Sequence, residues 1–149
     1  MIDISMNEDD LYQVIPFLIE QVSKRGKRYS QREFDERGLG VTIDQWVLLK
    51  IVQMKDGISQ RELADRSFRD GASITRSLDL LEKKGLIQRN SIPENRRQYS
   101  ITICKEGVNF IQENMEMIDR HRKQFVDGFS SEEIGQLKGY LNRMMKNLE

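Results

Sequence analysis

Three places in this chain carry one chemical signature for the start of a helix. At Thr42 a hydroxyl is followed three residues on by Gln45, with Val41 and Trp46 on either side. At Ser59 the partner is Glu62, flanked by Ile58 and Leu63. At Ser130 it is Glu133, flanked by Phe129 and Ile134. Each pattern is a capping box with a hydrophobic staple. The side chains satisfy amides that the first turn leaves orphaned, and the apolar pair fixes the angle at which the chain enters the helix. One such match is weak evidence. Three, each just ahead of an apolar-periodic run, fix the boundaries and require a mainly helical fold.

The remaining punctuation agrees. Leu11, Val14, Ile15, Leu18, Ile19 and Val22 form a stripe at helical spacing, which predicts a helix over 10–36 with Pro16 either kinking it or lying in its first turn. Further helices are expected at about 43–55, 59–66, 71–84, 105–127 and 130–147. Gly85 follows Lys83 and Lys84 as a C-terminal glycine should. Ile87 to Ile92, a turn at Pro93-Glu94-Asn95-Arg96, and Arg97 to Ile103 then read as a hairpin, with Tyr99, Ile101 and Ile103 alternating with Ser100 and Thr102. A short strand is expected near Gly57-Ile58.

Composition enters through charge. The 24 basic and 24 acidic residues cancel, yet they are not evenly spread. The first twenty residues hold five acids and no base, residues 59–105 hold ten bases against six acids, and residues 106–149 hold six against eight. A basic middle favours an anionic partner. No apolar run is long enough to span a membrane. The acidic start is neither a signal peptide nor a basic transit peptide. One cysteine, Cys104, forms no internal disulfide, and a reduced, cytoplasmic setting is expected. The single histidine, His121, has no Cys/His/Asp cluster at ligand spacing, so neither a metal site nor a cofactor is expected. With no nucleophile–base pair and no glycine-rich phosphate loop, the chain does not read as an enzyme.

Helix 59–66 is joined to helix 71–84 by the short link "SFRDG". Ile74, Leu78 and Leu81 share one face of the second helix and can pack on Leu63 and Ala64. The opposite side carries Ala72, Ser73, Thr75, Arg76, Asp79 and Lys83. Small residues, hydroxyls and one arginine near the N-terminal end suit a helix that enters a major groove, as the second helix of a helix-turn-helix does. The hairpin tip holds Arg96 and Arg97, and arginine suits the negative potential of a narrow minor groove.

The segments "VTIDQWVLL" (41–49), "RELAD" (61–65), "ITRSLDLLEKKGLIQR" (74–89), "ENRR" (94–97), "SITICKEG" (100–107) and "FSSEEIGQL" (129–137) resemble the MarR family of bacterial transcription regulators, which are dimeric winged-helix proteins. The resemblance implies an α+β, mainly α chain, a single domain over 1–149. Residues 41–104 would form a winged helix-turn-helix with a two- to three-stranded wing. Residues 1–36 and 105–149 would form the helical dimerisation part. Independently, Phe125, Phe129, Leu137, Tyr140, Leu141, Met144, Met145 and Leu148 give the terminal helices more apolar surface than so small a domain can cover.

The function this implies is a repressor that binds a pseudo-palindromic operator in double-stranded DNA as a homodimer and is released by a small-molecule or oxidant effector. The alternative is a winged-helix adaptor that binds proteins and not specific DNA. Ser73, Thr75 and Arg76 are the base-reading candidates. Gln60, Arg69 and Lys84 are candidates for phosphate, and Asn95, Arg96 and Arg97 form the wing tip. Family tips usually read Asp-Arg-Arg or Asp-Arg-Lys; here Asn95 stands in place of the aspartate and can cap the turn but cannot ion-pair. Members often bind small aromatic effectors, for which Tyr12, Phe17, Tyr29 and Trp46 are the candidates, although a tryptophan after a capping box is more often a core anchor. Some members sense oxidants through a cysteine; Cys104 reads more readily as structural.

Overall fold

The computed structural model describes residues 8–149, apart from the side chains of Glu8, Asp9 and Arg96. It divides into two compact units, the first ending at Met115 and the second running from Glu116 to Glu149. Six α-helices and one three-stranded antiparallel sheet are present among the described residues.

The chain enters through a 3-10 helix, Glu8–Gln13, and only then begins α1, Ile15–Glu36. The single helix expected from residue 10 is thus broken at Val14. Proline lacks an amide hydrogen and its ring collides with the carbonyl four residues back, so Pro16 is accommodated in the first turn of a new helix and not inside a continuous one. α2, Ile43–Met54, starts at Thr42, whose hydroxyl accepts from the Gln45 amide at 3.1 Å while Gln45 Oε1 accepts from the Thr42 amide at 2.9 Å. The Ile43 amide donates to Gln31 Oε1 at 3.0 Å, which fixes α2 against α1. Trp46 lies edge-on to Phe34 with centroids 6.2 Å apart and tilted against Phe110 at 6.0 Å. It is a core residue.

β1, Ile58–Ser59, leads directly into α3, Gln60–Ser67, and then α4, Gly71–Lys83. Ile74, Leu78 and Leu81 are buried, as their common face requires, together with Leu63, Leu48, Leu49 and Val52. α4 ends in a Schellman arrangement: the Gly85 amide donates to Glu82 O at 2.9 Å and the Leu86 amide to Leu81 O at 3.0 Å. Gly85 has φ of 75°, a conformation that favours glycine.

β2, Ile87–Ile92, and β3, Asn95–Ile103, form the hairpin, and the sheet order is β1-β3-β2. Ile58 pairs with Ile101 and Ile87 with Ile103, so β3 is central. The strands run closer to the tip than expected and leave Pro93-Glu94 as the connection, with an irregular register between Ser91 and Ile92. Ile101 is buried, Ile103 is half-buried and Tyr99 is exposed. The alternation fades because β1 pairs only at Ile101 and Ser100, and beyond that point β3 has a neighbour on one side only. α5, Lys105–Phe125, begins where Gly107 passes against the backbone: a Cβ there would meet Leu86 O at 2.2 Å. α6, Ser131–Asn147, has the full reciprocal cap at Ser130 and Glu133.

Candidate nucleic-acid interface

α3 is short because its end is actively closed. The Ser67 hydroxyl donates to Leu63 O at 2.7 Å, and Phe68 takes a left-handed φ of 54°, which turns the chain out of the helix. Asp70 then caps α4, its carboxylate accepting from the Ser73 amide at 2.8 Å. The pattern Asp-Gly ahead of a helical run is a helix-start signal that the sequence carries as plainly as the other three.

The other caps differ in one respect. Ser59 accepts from the Glu62 amide at 3.1 Å, but Glu62 does not return the bond. Lys55 Nζ draws its carboxylate at 2.6 and 2.8 Å and Arg66 Nε adds a third bond at 3.2 Å. These partners, the Lys55 hydrogen bond above all, hold the Glu62 carboxyl below its ordinary pKa. The box expected at Ser59 is therefore half formed.

α4 presents Ala72, Thr75, Arg76, Asp79 and Lys83 to solvent, with Ser73 half-buried at the edge of that face. The Thr75 hydroxyl donates to Gly71 O at 2.9 Å and accepts from Gln60 Nε2 at 3.2 Å. Gln60 thus joins α3 to α4, and its side chain is already engaged with Thr75 on the exposed face of α4. Arg69 is also committed: its guanidinium pairs with Asp44 Oδ1 at 2.5 Å, and Lys27 Nζ reaches the same carboxylate at 3.1 Å. Burial pushes the Asp44 carboxyl up, but hydrogen bonds and charge from Arg69 and Lys27 outweigh it and hold the group below its ordinary pKa. Lys84 is exposed and lies beside Gly40.

The hairpin is fastened to α4 by Arg89. Its backbone amide donates to Glu82 Oε2 at 2.8 Å and its guanidinium reaches Glu82 at 3.0 Å and Asp79 at 2.7 Å. The Arg89 hydrogen bonds depress the Glu82 carboxyl, and the same bonds raise Arg89. This arginine is structural, and it fixes the angle between strand and helix. At the tip, Asn95 Oδ1 accepts from the Arg97 amide at 3.2 Å, the side-chain cap expected of it, and Arg97 is exposed. The Arg96 side chain lies outside the described residues.

Of the eight candidates for DNA contact whose side chains are described, Thr75, Arg76, Lys84, Asn95 and Arg97 are exposed on the α3–α4 and hairpin segment; Gln60 and Ser73 are half-buried there, and Arg69 is half-buried and turned toward α2. Among the effector candidates, Tyr12 meets Phe17 edge-on at 5.2 Å, Tyr29 is exposed, and Trp46 is in the core. Cys104 is half-buried; burial first, then Glu106, Asp56 and Glu82, push its thiol up and away from the thiolate. Sequence reasoning missed Asp44, Lys27 and Asp70. Asp70 had a local signal. Asp44 and Lys27 did not, because their partner is remote in sequence.

The model of the MarR family matches residues 41–99, from the residue before the α2 cap to the outer part of β3. A curated relative from Thauera aromatica, named for transcriptional regulation of the hcr operon, is 32% identical over 107 residues, which is 72% of this chain and 64% of the relative. The match therefore spans just under two thirds of that protein's length. The crystal structure of the transcriptional regulator SlyA is 28% identical, covers 90% of this chain and 93% of that one, and superposes with a TM-score of 0.80. A Staphylococcus aureus MepR–DNA complex, 23% identical, covers 90% and 98% with a TM-score of 0.79 and shows the shared fold.

Proposed function

The chain belongs to the MarR family, and from that premise we propose that it is a transcription regulator, not an enzyme, that binds a pseudo-palindromic operator in double-stranded DNA as a homodimer and represses from it. The observation that carries the reading is α4: a firmly capped helix with one face buried and the other lined by Ala72, Thr75 and Arg76. Nothing bulky on that face holds it off a major groove. Residues 41–104 serve as the DNA-binding part and residues 1–36 and 105–149 as the dimerisation part of a single domain.

The site candidates divide by role. Arg76 is the direct reader, and Ser73 is at the edge of its face. Arg96 and Arg97 enter the adjacent minor groove, with Asn95 holding the turn. Lys84 is free to meet phosphate. Gln60 and Arg69 act chiefly by orienting α4. The homodimer is supported by apolar surface left exposed: Leu11, Ile15, Leu18, Ile19 and Val22 near the start, and Leu137, Tyr140, Leu141, Met145 and Leu148 in and just beyond α6, which buries no residue. The proposed effector is a small molecule, aromatic or other, for which Tyr12, Phe17 and Tyr29 are the candidates outside the core. An oxidant acting through Cys104 is disfavoured, because a sensing thiol needs a depressed pKa.

The test is a salt titration of binding by the wild type, Arg76→Ala and Arg97→Ala. Arg97→Ala should weaken binding to all sites of similar groove width and lower the salt slope by roughly one unit per arm. Arg76→Ala should instead relax base preference at one fixed position in each half-site, at a cost of about 1–3 kcal/mol if it reads a guanine. Binding with no salt dependence, or unchanged in both variants, would overturn the reading and leave an acidic protein as the partner of these arginines.

A further inference from the structure

The hydroxyl of Thr75 is engaged by the protein itself although the residue is exposed. Its proton goes to Gly71 O one turn back, at 2.9 Å, and the oxygen accepts from Gln60 Nε2 at 3.2 Å. A threonine hydroxyl has one proton to give, and back-bonding to the carbonyl four residues earlier fixes the side-chain rotamer. With the oxygen engaged on both counts, the γ-methyl is the part of this exposed side chain left uncommitted. Ala72, three residues earlier and also exposed, adds a second methyl on the same face. The exposed face of α4 thus offers two methyl groups, and the hydroxyl of Thr75, the one exposed hydroxyl-bearing residue between Ala72 and Arg76, is already committed.

Building on the DNA reading above, we propose that Thr75 reads thymine, through contact between its uncommitted γ-methyl and the thymine C5-methyl, with Ala72 extending the contact and Gln60 keeping the hydroxyl engaged. In the major groove thymine is the base that presents a methyl, and its apolar contacts come from alanine and threonine methyl groups. Gln60 is then a specificity-positioning residue: it touches Thr75, not the base.

The experiment uses the full-length protein and a duplex site selected by the wild type, remade with deoxyuridine in place of thymine at one position at a time. This removes only the C5-methyl. At one thymine per half-site the wild type should lose roughly three- to ten-fold in affinity, the scale of one buried methyl group. Thr75→Val keeps the methyl and should keep that loss. Thr75→Ser keeps the hydroxyl and should bind thymine and deoxyuridine sites alike. Gln60→Ala should reduce the discrimination with no change in salt slope. If the wild type binds its selected site but is indifferent to deoxyuridine at every position, or if Ser retains the discrimination and Val loses it, the proposal is overturned and the DNA reading stands. If the wild type selects no site, the DNA reading falls and this proposal with it.

Discussion

Phe68 is the residue with the least local justification. It is 97% exposed and is the one non-glycine with positive φ among the described residues. The left-handed region is costly for a side chain with a Cβ, on the order of 1–2 kcal/mol. The position exists because α3 must stop and the chain must turn into the Asp70 cap. Phe68→Gly should therefore stabilise the fold by about 0.5–1 kcal/mol, after the extra chain entropy of glycine is subtracted. Thermal unfolding of the two proteins checks it. A lower melting temperature for the glycine variant would mean that the ring contributes more than its exposure allows. The same scale separates the arginines. Arg89 is consumed by Glu82 and Asp79, Arg69 by Asp44, whereas Arg76 and Arg97 stand on exposed surface. A basic stretch in sequence is thus a mixture of structural and available cations, and only coordinates sort them.

Between elements, the Asp44 carboxylate is a junction. It collects Lys27 from α1 and Arg69 from the turn before α4, and so couples three parts of the first unit. Its folded pKa lies below its unfolded one, so the stabilisation is complete above the ordinary aspartate range and is lost as pH falls through the folded value. Asp44→Asn should cost about 0.5–1 kcal/mol at neutral pH, the range for a pair that solvent still screens, and nothing below both values. Chemical denaturation at neutral pH and along a descending pH series reads the difference, which should shrink as the carboxylate protonates. A cost that stays constant along the series would show that packing, not charge, is what the substitution removes. Much at this scale was legible in the sequence. Caps at Thr42, Ser59 and Ser130 fixed three helix starts because capping is local and its donors and acceptors are three residues apart. The Ile74, Leu78, Leu81 face was legible because helical periodicity alone dictates it. What could not be read was any choice between competing partners. Glu62 abandoned its reciprocal cap for Lys55 and Arg66, Arg69 turned to a carboxylate 25 residues away, and the Thr75 hydroxyl bonded to Gly71 and Gln60. Pro16 had two allowed roles, and only the fold selects one.

For the whole molecule, the proposed function depends on two copies. α6 buries none of its residues, and the stripe from Leu11 to Val22 is largely exposed. On the proposed assembly, these surfaces meet a second chain. Deleting residues 130–149 should then dissociate the dimer and abolish specific DNA binding, while residues 41–104 keep their helices and hairpin. Light scattering and circular dichroism on the truncated protein check the two halves of this expectation. A truncated chain that remains a dimer would assign the assembly to other surfaces. The measurement that bears most directly on the central claim is sequencing of genomic fragments retained by the purified full-length protein at raised salt. The account predicts enrichment of one inverted repeat, with half-sites centred about one helical turn, ~10 base pairs, apart. Retention without an enriched sequence, or an enriched site with no inverted symmetry, would contradict it.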